Sequence, residues 1–173
     1  MNLNDILRRL RYTFSFNDKQ MIEVFANADT QISRTQVCAW LKKEEDEGFE
    51  VIPDRQMALF LNGFINLRRG RREGDQPVPE EKLNNNMVLM KLRIALNLQS
   101  EDMRAILQDT GIEFSNHEIS ALFRRPSHKH YRSCEDQLMR HFLKGLQMRE
   151  HKDQIAHNEE PETPTNKDIW GAK

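Results

Sequence analysis

Ile32-Ser33-Arg34-Thr35-Gln36-Val37-Cys38-Ala39-Trp40-Leu41-Lys42-Lys43 returns 82 positions later as Phe114-Ser115-Asn116-His117-Glu118-Ile119-Ser120-Ala121-Leu122-Phe123-Arg124-Arg125. Each copy has a serine at its second position, continues with apolar residues at helical spacing and ends on a basic pair. The pairs Ser33/Gln36 and Ser115/Glu118 have capping-box spacing, in which the serine hydroxyl accepts an amide three residues on. Both stretches therefore read as short helices, each preceded by another helix and a turn. That order is the outline of a helix-turn-helix, whose second helix can enter a DNA major groove.

The same offset aligns residues 2–67 with 84–149 without a gap. Identities along it include Asn4/Asn86, Arg11/Arg93, Asp54/Asp136, Met57/Met139, Phe60/Phe142 and Gly63/Gly145. Elsewhere one hydrophobe replaces another, as in Phe14/Leu96, Val24/Ile106 and Val37/Ile119. A gapless internal match that also keeps the apolar register marks a duplication.

Within one unit the periodicity predicts four helices. Ile6, Leu7 and Leu10 form one stripe, echoed by Val88, Leu89 and Leu92. The second helix starts at Asp18 or Ser100, both good N-caps, and faces inward through Met21 and Phe25 or Met103 and Leu107. Val37, Trp40 and Leu41 hold the third helix inward. The fourth opens at Asp54 behind Pro53, and at Ser133 or Asp136 in the second copy, with Met57, Phe60, Leu61 and Phe64 as its stripe. Gly63 and Gly145 fall mid-helix, where glycine costs about 1 kcal/mol relative to alanine. A close helix crossing in each unit accounts for the pair. Gly111 supplies the positive φ that the turn before the third helix needs. Arg11 and Arg93 are expected to pair with Asp54 and Asp136, the charged residues kept in both copies.

The predicted fold is all-α: a tandem repeat of two four-helix units, each with a helix-turn-helix-like element. The first repeat spans 1–70, a hydrophilic linker 71–83, and the second repeat 84–150. Residues 151–173 carry 5 acidic against 3 basic residues and two prolines, and are expected to form a disordered acidic tail with Ile169-Trp170 as a docking point. Beyond the brief Phe49–Ile52 run there is no strand signal. No apolar run reaches the roughly 20 residues that span a bilayer. The start of the chain lacks a signal region, and its 2 cysteines, far apart, read as reduced thiols. A cytoplasmic protein without a membrane partner is the expectation.

The sequence also resembles a known family. Leu10-Arg11-Tyr12, then the Ser33-to-Lys43 helix, then Phe60-Leu61-Asn62-Gly63-Phe64 carry the likeness in the first copy. Leu92-Arg93, His130–Asp136 and Phe142-Leu143-Lys144-Gly145-Leu146 carry it in the second. These motifs resemble the domain-of-unknown-function family 1456, small bacterial proteins in which the unit occurs twice. The resemblance implies the duplication and a bacterial cytoplasmic setting; it brings no activity, cofactor or catalytic residue with it.

Function is read from charge and from the third helices. The chain's net charge of −1 hides +3 on residues 84–149, where 10 basic face 7 acidic residues. Residues pointing outward from the third helices are Arg34, Thr35, Cys38, Lys42 and Lys43 in the first copy. In the second they are Asn116, His117, Ser120, Arg124 and Arg125, followed by Lys129 and Arg132. Arg and Asn at a helix start can reach base edges, and a terminal basic pair meets phosphates. Glu44, Glu45, Asp46 and Glu47 follow the basic pair of the first copy and repel phosphate, so the second copy is the expected binder of DNA or RNA. The competing reading is a protein-interaction module that binds a protein partner or a second copy of itself. His128, His130, Cys134 and His141 match no established zinc spacing. No nucleophile sits beside a Gly-rich oxyanion turn. Neither a metal, a cofactor nor a catalytic role is expected.

Overall fold

The computed structural model describes residues 1–159, and these are helical with no strand among them. Eight helices follow in order: α1 Leu3–Thr13, α2 Asp18–Ala26, α3 Arg34–Leu41, α4 Asp54–Arg69, α5 Asn85–Ala95, α6 Ser100–Gln108, α7 Asn116–Ala121 and α8 Asp136–Glu159. The Phe49–Ile52 run is irregular chain.

The duplication survives in three dimensions, bond for bond. Asn4 is buried and its Nδ2 donates to Trp40 O and Glu50 O, both at 2.9 Å, while its Oδ1 accepts from Ile52 N at 3.2 Å. Eighty-two residues on, Asn86 Nδ2 donates to Leu122 O and Arg132 O at 2.9 Å and Oδ1 accepts from Cys134 N at 2.9 Å. One amide side chain thus satisfies three backbone groups, two of them in buried bonds, and ties the chain after the third helix to the first. Arg11 Nε and Arg93 Nε donate at 3.1 Å to Phe16 O and Leu98 O, closing the turn after each first helix. These turns place Ser15 at φ 54° and Asn97 at φ 52°; the turns before the third helices place Asp29 at φ 55° and Gly111 at φ 86°. A left-handed backbone costs serine about 1–2 kcal/mol relative to glycine, so Ser15→Gly should stabilise the chain by about 0.5–1 kcal/mol even after losing the long Ser15 Oγ bond to Gln154. Thermal unfolding monitored by circular dichroism checks it; a lowered midpoint contradicts the account.

Two ion pairs expected between Arg11 and Asp54 and between Arg93 and Asp136 are not formed. Arg11 instead meets Asp18 at 3.0 Å, and Arg93 lies over the Phe123 ring at 4.5 Å. Asp18 is available because the cap falls one residue earlier: Asn17 accepts from Gln20 N at 2.8 Å, and Gln20 reaches back to Asn17 N at 2.9 Å. The second helix of the repeat is likewise capped at Gln99 rather than Ser100, with Asp102 accepting from Gln99 N at 2.7 Å. The Ser33 box is one-sided, since Gln36 turns to Glu50 at 2.7 Å; the Ser115 box is complete.

Asp54 and Asp136 do a different job. Asp54 accepts from Leu83 N at 2.8 Å, and Asp136 meets the Met1 amine at 2.5 Å, again 82 residues apart on both sides. Each carboxylate joins the start of a fourth helix to the start of the first helix of the other unit. The amine and Asn85 hold the Asp136 carboxyl below the usual carboxylate range. Accordingly α4 packs along α5, and α8 along α1, each pair beginning side by side. Within each unit the fourth helix crosses the second, α4 on α2 and α8 on α6. Gly63 and Gly145 sit at those crossings against Val24 O and Ile106 O, as the matched glycines required. A single continuous core results, with Phe25, Phe60, Phe64, Phe142, Leu7 and Leu89 fully buried.

The segment 71–83 is irregular but strapped down. Arg71 grips Asp29 through two bonds of 2.6 and 2.7 Å, Gln76 accepts from Asn66 at 2.8 Å, Glu80 meets Lys91 at 3.0 Å and Glu81 meets Arg55 at 2.6 Å. The expected tail does not begin at 151. α8 continues to Glu159, and its stretch just past 150 touches the first unit: His151 stacks edge-on against Tyr12 at 4.9 Å, and Gln154 accepts from Ser15 Oγ at 3.4 Å. Ile169-Trp170 lies outside the described residues.

Candidate nucleic-acid interface

α6 and α7 pack together across the turn 109–115, and α7 is short because its cap and its closing loop lie close in sequence. Ser115 Oγ accepts from Glu118 N at 3.1 Å and Glu118 returns a bond to Ser115 N at 2.8 Å. Ile119, Ala121 and Leu122 are buried and fix which face looks out. Asn116, His117 and Ser120 are exposed on the opposite face, as their spacing predicts. Ser120 Oγ donates to Asn116 O at 2.9 Å.

The loop after α7 folds back in two turns, with His128 N donating to Arg125 O at 2.8 Å and Tyr131 N to His128 O at 2.9 Å. Arg132 N then donates to Ala121 O at 3.0 Å, and the Asn86 amide pins the loop to α5. This folding brings three imidazoles together beside α7. The His130 ring lies 6.0 Å from His117 and 5.7 Å from His128, and His130 N donates to His128 Nδ1 at 3.0 Å. Arg125 and Lys129 are exposed at its edge, and no carboxylate lies within ion-pair reach of either among the described residues.

Four of the sequence-predicted cations are otherwise engaged. Arg124 is half-buried and donates to His130 O at 3.4 Å. Arg132 lies 4.7 Å above the Phe114 ring and 3.9 Å from Glu118. In the first unit Arg34 pairs with Asp18 at 3.1 Å, and Lys42 Nζ donates to Glu47 O at 2.8 Å. Lys43 and Thr35 are exposed; Cys38 is half-buried against Asp18 at 3.7 Å. The second face is therefore the less compensated one, with its free cations at Arg125 and Lys129.

Cys134 lies buried where its environment disfavours the thiolate. Burial, then Glu135 and Asp136, push its thiol up to about 12, so it stays protonated. It also sits beneath the loop, while His128 and His130 lie on the surface, and no metal-holding group of His, Cys, Asp or Glu occurs among the described residues. The residue this reading of the loop lacked was Asn86. Its signal was present as an asparagine on an apolar stripe kept in both copies.

Residues 3–70 and 85–151 each match a family model described as "Protein of unknown function (DUF1456)". The chain is 42% identical over 149 residues to the "Uncharacterized protein YehS" of Escherichia coli (strain K12), covering 86% of this chain and 96% of that protein. No solved structure matches. No helix among the described residues is long and apolar enough to cross a membrane. With two matched segments spanning most of its length, the chain belongs to the DUF1456 family, a family of unknown function.

Proposed function

We propose that the second unit binds the sugar–phosphate backbone of DNA or RNA through α7 and the loop that follows it. The observation that carries this reading is the exposed pair Arg125 and Lys129, without a carboxylate partner among the described residues, beside three clustered imidazoles. The sister loop of the first unit carries Glu44, Glu45, Asp46 and Glu47 in the same region. Two free cations neutralise two phosphates, so binding to duplex should fall with salt with a logarithmic slope of about −2. Asn116 and His117, at the start of α7, act on base preference rather than on the slope. A chain of net charge −1 is then a modest binder that discriminates by surface, not by bulk charge.

The test is a titration of labelled DNA and RNA over a range of salt. Arg125→Ala/Lys129→Ala should remove nearly all of the slope, whereas Lys42→Ala/Lys43→Ala should leave it in place. Binding that ignores salt, or survives the first double substitution unchanged, would falsify this reading and leave the interaction-module alternative standing.

A further inference from the structure

Between α4 and α5, beneath the strapped segment 71–83, lies an open cavity of about 670 Å³. Ile65, Met87, Met90, Ile94 and Phe123 form its apolar walls. That volume is typical of small-molecule sites. The fold itself does not demand these walls. In the sister groove between α8 and α1, offset by 82, Met87, Met90 and Ile94 correspond to Asp5, Arg8 and Tyr12. Helix pairing there is served by charged and polar residues, so the apolar set belongs to one half alone.

One end of the cavity is polar and incompletely paired. Lys91, mostly buried, donates to Asn62 Oδ1 at 2.6 Å and meets Glu80 Oε1 at 3.0 Å. The ammonium fixes which end of the Asn62 amide is oxygen, because an amide nitrogen would repel it. Asn62 is 7% exposed, lines the cavity, and its Nδ2 has no acceptor. Glu80 Oε2 is likewise buried and without a partner, so both atoms are closed off from the open space and this end of the cavity is sealed by its own polar groups. Glu80 answers the charge of Lys91, while Arg72 and Arg124, also lining the cavity, have no carboxylate partner among the described residues. The lining therefore carries an excess of positive charge around an apolar space.

We propose that this cavity binds a small organic carboxylate with an apolar body, an alkyl or aryl acid, its carboxylate drawn to Arg72 and Arg124. The body lies on Met87, Met90 and Ile94, where methionine side chains adapt to irregular shapes. This inference does not depend on nucleic-acid binding.

The probes are octanoate, octanol and octylammonium, titrated into the full chain by calorimetry. Octanoate should bind with a dissociation constant on the order of 0.1 mM, as its atom count permits, and at least about tenfold tighter than octylammonium. Arg72→Ala/Arg124→Ala should reduce octanoate to the level of octanol without affecting octanol. Met90→Arg/Ile94→Tyr copies the sister groove, which the fold accommodates, and should abolish binding of both while leaving the melting temperature in place. Octanoate binding no better than octylammonium, or unchanged in Met90→Arg/Ile94→Tyr, overturns the proposal. So does a dimer of the chain that the same double substitution separates, since the cavity would then be a contact between copies.

Discussion

Gly63→Ala is expected to destabilise the chain by about 3 kcal/mol or more, and to do so against the intrinsic preference of the helix. Alanine in an exposed helix interior gains about 1 kcal/mol over glycine. At Gly63 the added methyl would collide with the backbone carbonyl of Val24, which no side-chain rotation can relieve. α2 and α4 must part, and the shift passes into Phe25, Phe60 and Phe64, all fully buried. Gly145→Ala meets Ile106 O in the same manner and should act alike. By contrast, nothing lies within 4 Å of a methyl placed at Gly74, though its φ of 86° leaves a small backbone cost. Urea unfolding of the two helical variants beside Gly74→Ala separates a close crossing from a glycine replacement in open space outside any helix. A Gly63→Ala protein as stable as the parent would refute the close crossing.

The second large effect is expected at Asn4. Asn4→Ala strands Trp40 O, Glu50 O and Ile52 N, three groups otherwise paired by one side chain. Each unmet buried group costs about 1–3 kcal/mol, though the Glu50 contact is only part-buried and water can recover some of it. A total of about 3–5 kcal/mol is expected, a large share of the 5–15 kcal/mol that folded domains possess. Asn4→Asp should be no better, because a carboxylate cannot donate to the two carbonyls. Hydrogen exchange at Ile52 gives a local readout: its amide should lose protection ahead of the core. Global stability within about 1 kcal/mol of the parent would contradict this role.

Much of this architecture was legible as pattern. The duplication, the four helices per unit, the inward stripes and the meaning of Gly63 and Gly145 follow from period and offset, and the structure reproduces them. Asn116, His117 and Ser120 face outward because Ile119 and Leu122 face inward, a matter of helical geometry alone. Side-chain pairing was less legible. Retention of Arg11 and Asp54 in both copies signalled a structural role, but the contact that both copies share is to a main-chain group. It is Phe16 O for Arg11 as Leu98 O for Arg93, and Leu83 N for Asp54 as the Met1 amine for Asp136, while the carboxylate that Arg11 does meet is Asp18. Charge complementarity in a sequence cannot rank a carboxylate against a carbonyl that a turn happens to present. The same holds for Arg124 and Arg132, whose His130 and Phe114 contacts are made only when the loop folds back.

Residue order alone yields two copies of one helical unit, the serines that cap their third helices, their close crossings and the electrostatic difference between their loops. Those features are local, set by spacing within a dozen residues or by direct comparison of the copies. That the units are not self-contained emerges from packing in three dimensions. α4 lies along α5 and α8 along α1, with Asp54 and Asp136 joining starts that lie far from each other in sequence for the second pair. A helix with apolar residues on more than one side can satisfy them against either unit, and periodicity does not say which. That choice creates the groove beneath residues 71–83, turns a polar connecting segment into a wall, and sets Lys91 between Asn62 and Glu80.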